Sequence, residues 1–176
     1  MAVLDILTYP EKSLKEPSVT VDTIDEEIRT LVENMGQTMF AAPGIGLAAP
    51  QVGVNKRIIV YDVNAGSPDR ENLEPEFRAL INPEIISSSG SIVSEAEGCL
   101  SVVDYTADVK RYEQVVVKAL DIDGNPIELN VSGIEAVIMQ HEIDHLDGVL
   151  FIDRISVLKR AMYKKKIKKT LKKQDK

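Results

Sequence analysis

Cysteine and histidine are scarce in this chain, and long apolar runs are missing. The 176 residues include one cysteine and two histidines. A single cysteine cannot form an internal disulfide, so nothing argues for an oxidising compartment. No stretch of about 18 apolar residues is present, and the first residues lack a basic segment followed by an apolar one. We therefore expect a cytoplasmic protein with no membrane partner.

The rest of the composition indicates one ordinary globular domain with a basic tail. Hydrophobic residues make up 44% of the chain and charged residues 28%, which is typical of a domain with its own core. Residues 159–176 hold ten Lys or Arg and one acid, so they contribute +9 to the net charge of −7 and leave −16 on residues 1–158. The tail has either its own partner, such as an RNA backbone, or a solvated helical structure. DNA is not an expected partner.

Hydrophobic periodicity predicts a mixed α+β domain. Residues 25–42 carry apolar side chains at spacings of three and four, which is typical of an amphipathic helix. Residues 158–171 predict a final lysine-rich helix with a thin apolar stripe, made of Leu158, Met162, Ile167 and Leu171. Between these helices, several short runs indicate strands: RIIVY, ALINPEII, SIVSEAEGCLSV, QVVVKALDI and IELNV. A hairpin turn at residues 123–126 joins the last two.

Both histidines lie in one string, HEIDH, at residues 141–145. Ser132 and Glu135 have the spacing of a capping box, so we expect a helix to begin there and to stop near Asp147, with Gly148 as the break. Positions i and i+4 share a helix face, so two imidazoles can reach one metal ion. Ile134, Val137, Ile138, His141 and His145 are expected along one inward stripe of this helix.

A catalytic metal site needs a third protein ligand from elsewhere in the chain. Cys99 is the simplest candidate for the third ligand, because a thiolate binds divalent metals firmly. Asp147 or Asp153 could replace it, although both lie awkwardly close to the helix end. The ion would activate a water and Glu142 could accept its proton, which predicts amide hydrolysis. A helical H-E-x-x-H zinc endopeptidase with a carboxylate ligand, and a structural metal domain that docks on RNA, are the competing interpretations.

Three segments together resemble the signature motifs of the peptide deformylases of bacterial type. They are GIGLAAPQVG at residues 44–53, EGCLS at 97–101 and QHEIDHLDG at 140–148. The resemblance implies an enzyme that removes the formyl group from N-formylmethionine at the start of nascent polypeptides. It also implies a single α+β domain over residues 1–158, with antiparallel sheets around a central metal-binding helix, followed by the basic helical tail.

The resemblance also assigns roles to particular residues. Cys99, His141 and His145 would hold one divalent metal, typically Fe²⁺, although this ligand set also suits Zn²⁺. Glu142 would be the general base and acid. Gln51 and the backbone N–H of Leu100 would donate to the formyl oxygen. Gly46 would bind the extended peptide through its backbone, and an apolar pocket for the methionine side chain would be lined by Ile45, Ile134, Val137 and Ile138.

The chain departs from the usual family pattern after the second motif. Val103 lies where many members have a proline, and Thr106 lies where they have an arginine, whereas Arg111 matches an arginine of the family. These departures leave the implied metal ligands unchanged but affect contacts with the peptide beyond methionine. Resemblance to bacterial members with a C-terminal helix suggests that residues 159–176 aid association with the ribosome.

Overall fold

Seven strands and three α-helices form the protein in a computed structural model that describes residues 2–174. The helices are α1 (Glu26–Ala41), α2 (Gly133–Leu146) and α3 (Val157–Gln174). The strands are β1 (Gly46–Ala48), β2 (Ile58–Asp62), β3 (Phe77–Ser89), β4 (Ile92–Cys99), β5 (Val102–Arg111), β6 (Gln114–Leu120) and β7 (Pro126–Ser132). Single turns of 3₁₀-helix occupy Lys12–Lys15, Ala49–Val52, Arg70–Asn72 and Phe151–Asp153. No helix within the described residues is long and apolar enough to cross a membrane.

The strands form two antiparallel sheets. The larger sheet has the order β1-β2-β3-β6-β7, and β4 pairs with β5 in a separate two-stranded sheet. The predicted α+β class, with antiparallel sheets and helices at both ends, is confirmed. The predicted strand SIVSEAEGCLSV is wrong in its extent, because a turn at Leu100 and Ser101 ends β4 and starts β5. Strand β5 was not identified from the sequence as a separate element.

Strand β2 separates two cores, because its side chains alternate between the faces of the large sheet. Ile58 and Val60 pack with α1, whereas Ile59 and Tyr61 pack with α2. Both faces of β2 are therefore covered, and all five of its residues are buried. The predicted first helix is confirmed, and Asp25 caps it by accepting a hydrogen bond from the Ile28 N–H at 3.0 Å.

Helix α2 is buried on nearly all sides, so the predicted single inward stripe is wrong. Every residue from 136 to 146 is buried. The large sheet packs on one side of the helix, and Glu97, Arg111 and Phe151 contact His141 or Asp144 on the other. Ile134 is 40% exposed at the start of the helix. Ser132 is the N-cap residue, but its side chain makes no capping hydrogen bond, so the predicted capping box is absent. Gly148 follows the helix with a φ of 71°, as predicted for a C-terminal break.

Helix α3 packs on the body through a different face from the predicted one. Tyr163 is 2% exposed and Ile167 is partly buried, and both contact the core that includes β5. Leu158, Met162 and Leu171 are exposed, at 71%, 65% and 40%, so the predicted apolar stripe is wrong apart from Ile167. The aromatic ring of Tyr163 provides the larger apolar surface, which explains the rotation of the helix. Residues 175 and 176 of the predicted tail lie outside the described part of the chain.

Candidate metal centre

Three side chains from two distant segments converge between the small sheet and α2. Cys99 ends β4, and His141 and His145 lie one turn apart on α2. Their ligand atoms all lie within 4.8 Å of one another, and Cys99 Sγ is 3.2 Å from His145 Nε2. One thiolate and two imidazoles are a donor set that suits divalent Fe or Zn. The residues present therefore fit a metal ion.

Glu97 and Arg111 orient His141 from behind. Nδ1 of His141 donates to Oε1 of Glu97 at 2.7 Å, which leaves Nε2 for a metal. Arg111 binds both oxygens of Glu97, through Nη2 and, at 3.2 Å, through Nε. Burial acts to raise the pKa of Glu97, but hydrogen bonds from His141 and Arg111 lower that pKa to about 2. Glu97 is therefore a carboxylate that keeps His141 in one tautomer.

Arg111 also connects this cluster to the last turn of α2. Its Nη1 donates to Asp144 Oδ2 at 2.7 Å, and Arg154 donates to both oxygens of Asp144 at 2.5 Å. Arg111 is 4% exposed, so its charge is balanced inside the protein by Glu97 and Asp144. A buried guanidinium with two carboxylate partners satisfies its fixed fork of donors. The network holds β4, β5 and α2 together at the site.

Glu142 lies beside the three donors and against β1. A Cβ atom on Gly46 would lie 2.3 Å from Glu142 Oε1, so only glycine leaves room for this carboxylate. Oε2 of Glu142 is buried and has no hydrogen-bond partner within the described chain. Burial is the main cause that raises the pKa of Glu142 to about 7. A carboxyl with a pKa near neutrality can both accept and release a proton.

Gln51 is buried and its amide is oriented by three contacts. Its Oε1 accepts from the Ala48 N–H at 2.8 Å, which aims Nε2 toward Ser101 Oγ at 3.1 Å and Cys99 Sγ at 3.5 Å. The side chain thus places an amide donor next to the candidate ligands. A surface glutamine would not be held in this way.

A cleft of about 790 Å³ opens onto these groups. Its lining includes Gln51, Cys99, Leu100, His141 and Glu142 together with all five residues predicted to bind substrate, which are Ile45, Gly46, Ile134, Val137 and Ile138. Ile134 lies at the exposed rim, whereas Val137 and Ile138 are buried. Val103 and Thr106, where the sequence departs from the family pattern, also line the cleft.

The two carboxylates considered as rival ligands face elsewhere. Asp147 pairs with Arg57 at 2.8 Å. Asp153 pairs with Lys15 and accepts from the Leu150 N–H at 2.9 Å. Within residues 2–174, the only group of three or more metal-binding side chains is Cys99, His141 and His145. A closed four-ligand structural site is therefore not formed in this part of the chain.

Sequence reasoning assigned no role to Glu97, Ser101 or Asp144. Glu97 and Ser101 both flank Cys99 in the EGCLS motif, and Asp144 lies within the HEIDH string. Their positions inside two motifs could have marked them as functional. The sequence could not show that Glu97 pairs with His141, because the two residues are 44 positions apart. Only the packing of β4 against α2 reveals it.

Comparison with known proteins gives consistent matches over nearly the whole chain. The family model described as polypeptide deformylase matches residues 3–161. A peptide deformylase of Thermodesulfovibrio yellowstonii is 51% identical over 96% of this chain and 98% of its own length. The crystal structure of peptide deformylase from Ehrlichia chaffeensis matches with a TM-score of 0.88 and 40% identity, over 98% of both chains. A class I type b peptide deformylase from Acinetobacter baumannii, solved with Met-Ala-Ser bound, matches with a TM-score of 0.79 and 36% identity, over 87% of this chain and 98% of that one.

Proposed function

The chain belongs to the polypeptide deformylase family, and we propose that Cys99, His141, His145, Glu142 and Gln51 carry its reaction. The protein is a metal-dependent enzyme that removes the formyl group from N-formylmethionine at the start of polypeptides. The observation that supports this site is the convergence of the three donors within 4.8 Å, beside Glu142 and inside the large cleft.

Cys99, His141 and His145 are the proposed metal ligands. The bound ion supplies Lewis acidity, which makes an adjacent water a nucleophile near neutral pH. By accepting from Nδ1, Glu97 leaves Nε2 of His141 as the atom that would bind the ion. Burial lowers the pKa of His145 well below its usual value, so that His145 is a neutral imidazole with a lone pair to donate.

Glu142 is the proposed general base and acid. It accepts a proton from the attacking water and passes that proton to the amine that leaves when the formyl C–N bond breaks. Gln51 Nε2 and the Leu100 backbone N–H are the proposed donors to the formyl oxygen as negative charge develops on it. Gln51 is already oriented by Ala48, so little reorganisation is needed.

The peptide is proposed to bind in extended form along Gly46. Strand β1 pairs only with β2, and β4 pairs only with β5, among the described strands, so each has an edge that can accept an added strand. The methionine side chain would enter the apolar part of the cleft formed by Ile45, Val137 and Ile138, with Ile134 at its rim. The Met-Ala-Ser peptide bound to the Acinetobacter baumannii relative supports a peptide that begins with methionine as the ligand.

We propose Fe²⁺ as the native metal. Protein prepared without oxygen and loaded with Fe²⁺ should release formate from a formyl-Met-Ala-Ser amide, and the same protein loaded with Zn²⁺ should do so more slowly. Metal analysis of protein purified anaerobically from its own cells identifies the resident ion. Fully metallated protein that releases no formate would contradict the proposed site, and faster release by the Zn²⁺ form would contradict the proposed metal.

Residues 1–158 are proposed to act as the catalytic unit and residues 159–176 as a ribosome-binding tail in the cytoplasm. Lysines cover the exposed side of α3 while Tyr163 faces the body, which suits a phosphate backbone. Because truncation would remove Tyr163, charge substitution is the cleaner test. Replacement of Lys165, Lys168 and Lys172 by Gln should reduce cosedimentation with ribosomes at low salt.

A matched set of lysines provides the control for this experiment. Lys12, Lys110 and Lys118 are exposed on the body, and their replacement by Gln changes the net charge equally. If the body variant and the tail variant lose cosedimentation to the same degree, the tail has no specific role.

A further inference from the structure

The loop between β2 and β3 contacts the wall of the catalytic cleft but is not part of its lining. Residues 63–76 form this loop, which we call the Arg70 loop. None of residues 63–76 lines the cleft. Arg70 lies in the short 3₁₀-helix of the loop, and its side chain contacts Gly44, which does line the cleft.

The guanidinium group of Arg70 holds two acceptors at once. Its Nε donates to Asp62 Oδ2 at 2.5 Å, and its Nη2 donates to the Gly44 carbonyl oxygen at 3.0 Å. The side chain of Asp62 is 3% exposed, whereas that of Arg70 is 36% exposed. Because the donors of a guanidinium lie in a rigid planar fork, a buried carboxylate on one nitrogen fixes the direction of the others. Arg70 therefore presents Nη2 to Gly44 in a defined position.

This arrangement anchors two consecutive carbonyl groups directly before Gly46. The carbonyl oxygen of Gly44 accepts from Arg70. The next carbonyl oxygen, of Ile45, accepts from the backbone N–H of Asp62 at 3.0 Å. Asp62 thus contributes to both anchors, through its N–H and through the carboxylate that orients Arg70. The chain that leads to Gly46 cannot shift without losing these bonds.

The Arg70 loop is itself fixed on the body of the protein. Val63 and Ala65 pack against the core shared by the large sheet and α2. A Cβ atom on Gly66 would lie 2.9 Å from Ile134 Cγ2, so the backbone of the loop lies directly against the start of α2. Ile134 also lines the cleft. The loop is therefore a fixed base from which the Arg70 side chain extends to Gly44.

We propose that Arg70 is a positioning residue, which holds the segment from Gly44 to Gly46 in the form that binds the backbone of the formylated peptide. The proposal rests on the proposed function, because it requires the peptide to bind along Gly46. Arg70 acts through the Gly44 carbonyl oxygen. Without that bond, a segment with glycine at both ends gains alternative conformations, and peptide binding must then pay for its ordering.

Arg70→Gln and Arg70→Lys test the proposal in the metallated enzyme. Loss of one charge-assisted hydrogen bond should raise the KM for formyl-Met-Ala-Ser amide about tenfold. The kcat should stay nearly constant, because contacts with the peptide backbone contribute equally to the ground state and the transition state. Arg70→Lys keeps a positive charge beside Asp62, but a single ammonium lacks the fork that reaches both Asp62 and Gly44. It should therefore raise KM as Arg70→Gln does, and both variants should retain the metal.

Arg29→Gln is the matched control. Arg29 also pairs with an aspartate, Asp123, at 3.3 Å, and its side chain is 40% exposed. It does not line the cleft, so its KM should equal that of the wild type. Calorimetric titration with Met-Ala-Ser, the peptide bound to the Acinetobacter baumannii relative, measures peptide affinity without catalysis. The affinity should fall about tenfold in Arg70→Gln, for the same reason as the rise in KM.

Three kinetic results would overturn the proposal: an unchanged KM in Arg70→Gln, an equal rise in Arg29→Gln, or a wild-type KM in Arg70→Lys. The last result would mean that Arg70 only neutralises Asp62. A fall in kcat at constant KM would overturn the proposal as well. If the wild type releases no formate although Arg70→Gln still weakens binding of Met-Ala-Ser, the proposed function is contradicted and the role of Arg70 is supported.

Discussion

Glu97 accepts a hydrogen bond from Nδ1 of His141 at 2.7 Å, although the two residues are 44 positions apart. The contact joins the small sheet to α2 and gives one candidate ligand a defined tautomer. Arg111 holds the same carboxylate from the opposite side. The metal centre is therefore built on a buried charged network and not on the histidine string alone.

Glu97→Gln should weaken metal binding by about 10- to 100-fold, the usual effect of losing a partner that orients a metal ligand. An amide cannot match the negative charge between His141 and Arg111. Chelator competition measures the affinity. Glu128→Gln removes an exposed acid on β7 and should leave the affinity unchanged. Equal affinity in the wild type and in Glu97→Gln would show that this contact does not support the ligand.

Cys99→Ser should abolish stoichiometric metal binding, because a serine hydroxyl is a far poorer ligand than a thiolate. Metal content per chain after dialysis is the measurement. Asp147→Asn is the comparison, since Asp147 was one of the two rival ligands and instead pairs with Arg57; it should retain the metal. Full metal content in Cys99→Ser would favour a carboxylate ligand.

Gly46→Ala should lower kcat/KM by about 100-fold without loss of the metal, as expected when a general base is displaced. The new Cβ would lie 2.3 Å from Glu142 Oε1, so the carboxylate must move. Formate release and metal content are measured on the same samples.

A double variant separates displacement of Glu142 from other effects of the alanine. If Gly46→Ala acts through Glu142, combining it with Glu142→Gln should cost little more than Glu142→Gln alone. Fully additive losses would mean that the alanine disturbs the peptide and not the base.

Tyr163→Phe should stabilise the protein by about 1 kcal/mol at neutral pH, because the Tyr163 hydroxyl is buried without a partner in the described chain. Urea denaturation of the apoprotein measures the free energy of unfolding. Phenylalanine keeps the ring contacts with Tyr9 and Tyr105. A loss above about 1 kcal/mol would indicate that the hydroxyl is hydrogen-bonded through water.

The raised pKa of Tyr163 predicts a loss of stability at alkaline pH. Burial, followed by the effect of Tyr9, raises the pKa of Tyr163 to about 12 from its usual value of 10.0. The folded state therefore retains the phenol proton that the unfolded state releases, so this contribution is present below pH 10 and is lost as the pH rises toward 12. Tyr163→Phe should lack this part of the decline when free energies of unfolding are compared between pH 9 and 12.

Several features were readable from the sequence because they depend on local pattern. The 3-and-4 spacing of residues 25–42 predicted α1, and the alternating runs around residues 123–126 predicted the β6–β7 hairpin. Three motifs in order identified the family, which the comparisons confirm. The spacing of apolar residues did not predict which face of α3 is buried, because Tyr163 and not Met162 faces the body. The apolar stripe of α3 is short, so the shape of the β5 surface decides which face of the helix packs.

The sequence by itself was enough to identify the family, the α+β class and the motifs that contain Cys99, His141 and His145. The tertiary structure decided what surrounds them: the pairing of Glu97 with His141 and the space that Gly46 leaves for Glu142. These relationships join residues far apart in the chain, and their distances depend on how sheets and helices pack. A one-dimensional pattern carries residue type and spacing, whereas burial and pKa depend on neighbours that only folding supplies.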